Sequence, residues 1–327
     1  MALSFLFRTD THVADRSPGS WKGDYPAEIW SNLDQIGTMA KERDVRAVLD
    51  GGDYFHVKTA SRNPHALVER TARIHRAYPC PVWCVEGNHD IAYNNLDTLA
   101  KQPLGVLYAT GVFEHLRDHV FEEGGLRVRV VGVPYSPIRT VAELQRLQKQ
   151  PGDDVLIAIV HALAAHDPPP SVEGFFGEPV FKYADLVTPD GPDVWCFGHW
   201  HKDQGIVTVG GKQFVNLGAV SRGALVRENT LRTPQVAHIE VSPGSIRVWP
   251  IPLIVAPAEE VFDFERKQRE EAEDTAIDLF AARVKADTMI DPTAGIEETL
   301  KALDSAREVR DLAQMYLERA RALEGVG

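Results

Sequence analysis

Val82-Trp83-Cys84-Val85-Glu86-Gly87-Asn88-His89-Asp90 is a short apolar run that stops at a glycine and opens into an amide, an imidazole and a carboxylate. The run reads as a buried strand and the polar residues as the turn at its C-terminal end. The same arrangement recurs on both sides of it. Leu3–Phe7 leads into Asp10-Thr11-His12, and Arg46–Leu49 into Gly52-Asp53-Tyr54-Phe55-His56. Further on, Val155–Val160 ends at His161, and Val194–Phe197 leads into Gly198-His199-Trp200-His201. Helical patterns over Pro26–Glu42, His65–Ala77 and Thr140–Lys149 separate the early strands, which predicts a layered α/β domain. Leu126–Val133 reads as a strand as well. The shorter runs Gly205–Val209, Gln213–Leu217, Gln235–Val241 and Ser245–Ile251 read with Val194–Phe197 as the second sheet of a β-sandwich.

Placement is the first chemical argument. Open α/β sheets bind ligands at the C-terminal ends of their strands, and each of these motifs lies there. Asp10 and His12 are two apart, so extended backbone would point both side chains the same way, and His199 and His201 repeat the spacing. Glycines before Asp53, Asn88 and His199 permit tight turns and close backbone approach. Any one motif could be an ordinary turn. Five in order, holding six of the twelve histidines, are hard to explain as structure alone. Carboxylate, imidazole and amide donors together suit Mn, Fe, Zn or Ni better than Mg. His166 is close enough to His161 to be an alternative ligand.

Bulk properties set limits. The chain has 327 residues, 44% of them hydrophobic, enough for one large domain and an appendage. No run of about 18 apolar residues is present, so no membrane role is expected. The start, Ala2–Phe7, reads as a strand better than as a signal peptide. Cys80, Cys84 and Cys196 are an odd set beside strands, consistent with a reducing cytoplasm. Net charge is −12, but from Ala256 onward there are 18 acids against 10 bases, so the remainder carries only −4. Two bound divalent cations would cancel that, so the total leaves a phosphate substrate open.

The five motifs resemble those of the calcineurin-like metallophosphoesterases, over about Met1 to Leu253. The resemblance implies a four-layer α/β/β/α sandwich and two divalent metal ions per chain, Mn favoured. It implies that Asp10, His12, Asp53 and His201 hold one metal, and that Asp53, Asn88, His161 and His199 hold the other, with Asp53 bridging. His89 would act on the scissile phosphate and its leaving oxygen, with Asp90 orienting the His89 ring. The second motif separates subfamilies. Protein phosphatases of the superfamily read Gly-Asp-x-Val-Asp-Arg-Gly there, whereas His56, three residues after Asp53, resembles the SbcD-type DNA-repair nucleases. In those, this histidine positions the phosphodiester. The implied function is a DNA exo- or endonuclease, the alternative a small-molecule phosphodiesterase or phosphatase.

Two segments bear on substrate and partners. Residues 13–25 carry Arg16, Trp21, Lys22 and Tyr25, cations and aromatics of the kind a single-strand groove uses for base stacking, although Trp21 could equally anchor the loop. Residues 1–255 are read as the catalytic domain and 256–327 as an acidic helical region, with helices near Val261–Lys285 and Ile296–Leu323. Val309, Leu312, Ala313, Tyr316, Ala320 and Leu323 form one apolar stripe on the second. The stripe must pack on its own core, form a homodimer, or, as the resemblance implies, dock on an SbcC-like coiled-coil ATPase. No DNA-capping segment of mixed α/β pattern follows Leu253.

Overall fold

A computed structural model describes residues 2–168 and 177–269. Among them, two six-stranded sheets face each other. In chain order the first eight strands are β1 (Leu3–Arg8), β2 (Ala47–Asp50), β3 (Val82–Cys84), β4 (Glu114–His115), β5 (Asp118–Glu123), β6 (Leu126–Val133), β7 (Val155–His161) and β8 (Ala164–Ala165). They are followed by β9 (Phe181–Lys182), β10 (Val194–Gly198), β11 (Gly205–Val209), β12 (Lys212–Asn216), β13 (Gln235–Ser242) and β14 (Ser245–Pro252). One sheet runs β14-β13-β1-β2-β3-β4 and the other β11-β12-β10-β7-β6-β5, while β8 and β9 pair separately.

Side-chain alternation explains the layers. On β1, Phe5 and Phe7 point between the sheets, where they meet Leu49, Val128, Val130, Ile157, Ile159, Cys196 and Ile239. Leu6, one residue out of phase, joins the opposite face with Val48, Val82 and Cys84. Helix α1 (Tyr25–Glu42) covers that face with Ile29, Leu33, Ile36 and Ala40, spaced at three and four residues. Burial of each of the larger three, Ile29, Leu33 and Ile36, contributes roughly 1.5–3 kcal/mol. Asp24 caps α1 by accepting from Ala27 N at 3.0 Å, and Pro26 lies in its first turn. Helices α2 (His65–Arg76) and α3 (Pro103–Ala109) complete this layer. On the far side, Trp195, Phe197 and Phe214 pack against Leu144, Tyr183 and Leu186 of the one-turn helices α4 (Val141–Leu144) and α5 (Tyr183–Leu186). The order is therefore α/β/β/α.

Three sequence expectations need correction. Strands β13 and β14 do not build the second sheet; β13 pairs antiparallel with β1, Phe5 opposite Ile239. The second sheet instead takes β6 and β7, with β7 parallel to β10. Chain order cannot distribute strands between two sheets of equal apolar character. The helix expected over Thr140–Lys149 stops after one turn. Thr140 and Glu143 form a reciprocal cap at its start, and beyond Leu144 the backbone turns through i→i+3 bonds, Arg146 N to Glu143 O at 3.3 Å and Leu147 N to Leu144 O at 3.0 Å. The helix expected from Val261 is interrupted too. Ala258–Val261 is a single turn, and Phe262 is extended and fully buried against Trp21.

The first compact unit ends at Phe262. The second begins at Asp263, whose side chain accepts from Arg266 N at 3.0 Å and caps a helical start. The apolar stripe with Leu312 and Tyr316 lies outside the described residues, as do residues 169–176. Among the described residues no helix is long and apolar enough to cross a membrane.

Candidate metal centre

Strands β1, β2 and β3 are mutually parallel, as are β6, β7, β10 and β12. Their C-terminal ends gather at one edge of the sandwich, and all five motifs project from it. The first two motifs are zipped together through backbone. Asp10 N donates to Gly52 O and His12 N to Asp53 O, each at 3.0 Å, and Val13 N donates to Tyr54 O at 2.8 Å. This ladder holds Asp10, His12 and Asp53 in left-handed backbone, with φ of 53°, 47° and 52°, and His199 is at 90°. The extended geometry expected for Asp10 and His12 is therefore wrong. Such conformations cost on the order of 1–3 kcal/mol each and persist only where surroundings enforce them. Gly52 and Gly87 let the second and third motifs cross. A Cβ on Gly52 would lie 2.6 Å from Gly87 N, and one on Gly87 would strike the Asp53 carboxylate and amide.

Two groups of donors result, sharing Asp53. Within each, the ligand atoms lie within 4.8 Å of one another: Asp10, His12, Asp53 and His201 in one, and Asp53, His161 and His199 in the other. Backbone and side-chain partners set the ring orientations. His161 Nδ1 donates to Gly51 O at 2.7 Å, leaving Nε2 to face Asp53 Oδ1 at 3.4 Å. His199 Nε2 donates to Glu178 Oε2 at 3.0 Å, which turns Nδ1 toward Asn88, and Tyr135 donates its hydroxyl proton to the other Glu178 oxygen. Asp10 is fixed by the His199 amide at 3.1 Å and the Thr9 hydroxyl at 2.8 Å.

The donor set fits cations. His12 Nε2 and His201 Nε2 face each other at 2.9 Å. One Asn88 amide atom lies 3.0 Å from Asp53 Oδ2 and 3.1 Å from His199 Nδ1. Placed there, the Asn88 carbonyl would sit among acceptors, an arrangement a cation between them satisfies. With the amide reversed, the carbonyl instead accepts from Lys58 Nζ at 3.0 Å. Electrostatics point the same way. Burial, then the neighbouring His201, holds His12 well below the usual imidazole range, so it stays neutral. Burial works against the Asp53 charge, but His161 and His12 hold its carboxyl well below the usual range. In return His161, despite its burial, is raised to about 9 by Asp53.

Beside this centre stand His89 and His56. Their rings stack with centroids 5.7 Å apart and an interplanar angle of 21°, and His12 meets both edge-on. His89 Nδ1 donates to the His56 carbonyl at 2.6 Å, so Nε2 is the atom left to meet a substrate. Asp90 does not orient this ring. Its buried carboxylate accepts from the backbone N–H groups of Tyr54 and Gly87 at 3.0 Å and Phe55 at 3.2 Å. It clamps the second motif to the third, because three converging backbone donors outcompete a more exposed imidazole. Burial and the Asp53 charge nevertheless push its carboxyl above the ordinary range.

The expected substrate residues divide. Arg16 is exposed beside the site. Lys22 is exposed, its backbone N–H tied to Val261 O. Trp21 is 7% exposed, packs on Tyr25 and Phe262, and donates its indole N–H to Arg222 O at 2.9 Å. It is the loop's anchor and presents no face for stacking. Glu178 and Lys58 were not anticipated; neither belongs to a motif, and only folding brings them to His199 and Asn88.

Three solved structures are similar to the chain at low identity. Sulfate thiohydrolase SoxB of Thermus thermophilus is 14% identical, with a TM-score of 0.47, 82% of this chain covered and 59% of that one. Purple acid phosphatase PPD1 from yellow lupin (Lupinus luteus) seeds is 12% identical, with a TM-score of 0.48 and coverages of 79% and 53%. The protein TT1561 of Thermus thermophilus is 11% identical, with a TM-score of 0.43 and coverages of 78% and 100%. The chain thus spans little more than half the length of the first two. No curated protein matches it. The sequence model of the calcineurin-like phosphoesterases matches residues 3–203, more than half the chain and all five motifs, and the chain belongs to that family.

Proposed function

We propose that the chain is a dinuclear metal-dependent phosphodiesterase that cuts DNA in the manner of SbcD-type nuclease subunits. The observation that carries this reading is the pairing of His56 with His89 at the open side of the two donor groups. A phosphodiester has substituents on both sides of phosphorus. A second imidazole beside His89 can hold one of them while the other leaves.

Asp10, His12, Asp53 and His201 would hold one cation, and Asp53, Asn88, His161 and His199 the second. Bound there, the two ions would supply an activated water and neutralise the non-bridging phosphate oxygens. The protein's own residues do the rest. Glu178 fixes the His199 ring, and the Asp90 clamp holds Asp53 and Asn88 in mutual register. His89, its Nδ1–H pinned to the His56 carbonyl, presents Nε2, which in the imidazolium form carries the proton that would stabilise, or pass to, the leaving oxygen. The acidic helical region would leave DNA to the catalytic domain and dock on an SbcC-like ATPase.

A Mn-dependent digestion comparing linear duplex, single-stranded DNA and a chromogenic diester tests the reading. DNA cleavage that falls more in His56→Ala than diester hydrolysis does supports it. Turnover of the diester with both DNA forms intact contradicts it.

A further inference from the structure

We infer that a cleft leading away from His56 is a subsite for the nucleoside on one side of the scissile phosphate. The inference rests on the phosphodiesterase reading above. The cleft holds about 580 Å³, within the range of small-ligand pockets. It is lined by residues 14–18 and by His56, Val57, Ser61, Arg62 and Pro64. His56 therefore belongs both to the histidine group beside the donor centre and to the cleft wall.

The lining is what a nucleoside needs. Ala14, Pro18, Val57 and Pro64 give apolar walls for a flat ring, and buried Tyr25 lies at the bottom. The Tyr25 hydroxyl donates to the His12 carbonyl at 3.3 Å, so the base of the cleft and the donor centre are held by one residue. Arg16 and Arg62 flank the apolar part. Arg16 is exposed, with Asp15, which also lines the cleft, at 4.0 Å. Two guanidinium groups beside an apolar slot complement a planar base whose next phosphate reaches the rim. A monoester of a small alcohol would leave this space unfilled. A peptide would need backbone partners that the apolar walls lack.

The test uses the full chain and two variants outside the donor centre. Ser61→Trp fills the cleft from the short helix at Ala60–Arg62, and Arg62→Glu reverses a rim charge. Two measurements are made: steady-state kinetics with Mn on oligothymidylate and on methyl p-nitrophenyl phosphate, which places no ring opposite its leaving group, and anisotropy of fluorescent oligothymidylate on metal-free protein. Melting temperatures confirm folding. Each variant should raise KM for the oligonucleotide about tenfold, with kcat and the small-diester constants within about twofold, and should weaken metal-free binding in parallel. Unchanged oligonucleotide KM and anisotropy in both variants would overturn the subsite. Loss of both substrates equally would also overturn it, by showing damage to the centre itself. If the wild type hydrolyses neither substrate, the phosphodiesterase reading fails, and the anisotropy still decides whether the cleft binds nucleotides.

Discussion

Asp90→Asn separates two roles for one carboxylate. If Asp90 oriented the His89 ring, the change would slow turnover and leave stability alone. The structure places it elsewhere. Oδ1 accepts from Tyr54 N at 3.0 Å and Phe55 N at 3.2 Å, while Oδ2 accepts from Gly87 N at 3.0 Å. Asparagine supplies only one acceptor atom. Whichever way the amide turns, at least one buried backbone N–H loses its partner and the new NH₂ faces a donor. An unsatisfied buried donor costs about 1–3 kcal/mol, and two together give roughly 2–5 kcal/mol. Urea unfolding of the metal-free protein should show this destabilisation, and metal affinity should fall because Asp53 and Asn88 are no longer held in register. An Asp90→Asn protein with wild-type stability and metal affinity but a large drop in kcat would refute the clamp.

Three further outcomes follow from the geometry. Gly87→Ala drives a Cβ into the Asp53 carboxylate and amide, so it should cost about 1–3 kcal/mol and lower metal occupancy, whereas Gly23→Ala, with open space around it, should change neither; calorimetry with metal analysis checks both. Glu178→Ala removes the acceptor that orients His199, and isothermal titration should show metal affinity about 10–100-fold weaker, while Glu178→Gln, which still accepts, should recover part of it. Glu86 has a fully buried side chain, and although burial opposes it, His115 and Arg117 hold its carboxyl below the ordinary 4.5. The folded state thus keeps it ionised where the unfolded chain protonates, so its contribution is complete above pH 4.5 and fades as pH falls through the folded-state value. Glu86→Gln should flatten that acid limb in a pH series of thermal melts.

Much of the centre was legible because its residues cluster in short motifs at strand ends. Asp10, His12, Asp53, Asn88, His161, His199 and His201 were all found that way, and the structure brings them together. What sequence could not reveal was how they are held. The left-handed backbone at Asp10, His12 and Asp53 comes from the ladder between two motifs some forty residues apart. Local spacing says nothing of that pairing. Asp90 stands beside His89 in sequence, yet its carboxylate turns under the motif to backbone donors. Glu178 reaches His199 from a segment with no motif of its own, and Lys58 meets Asn88 only in space. Trp21 looked like a stacking surface because aromatics beside cations look alike whether exposed or buried; its contact with Phe262 depends on a residue 241 positions away. The sheets were misassigned for a related reason. Apolar alternation identifies β13 and β14 as strands but carries no information about whether their partner is β1 or β12.

Metal analysis after reconstitution with Mn, performed on wild type, Asp53→Ala and His89→Ala, decides whether the five motifs build a dinuclear centre. Asp53 belongs to both donor groups, and His89 stands beside them with its ring tied to the His56 carbonyl. The wild type should hold about two ions per chain, and Asp53→Ala should lose both. His89→Ala should retain two, with most turnover gone. A wild-type chain that holds no metal, or an Asp53→Ala protein that keeps both ions, would contradict a dinuclear centre bridged by Asp53.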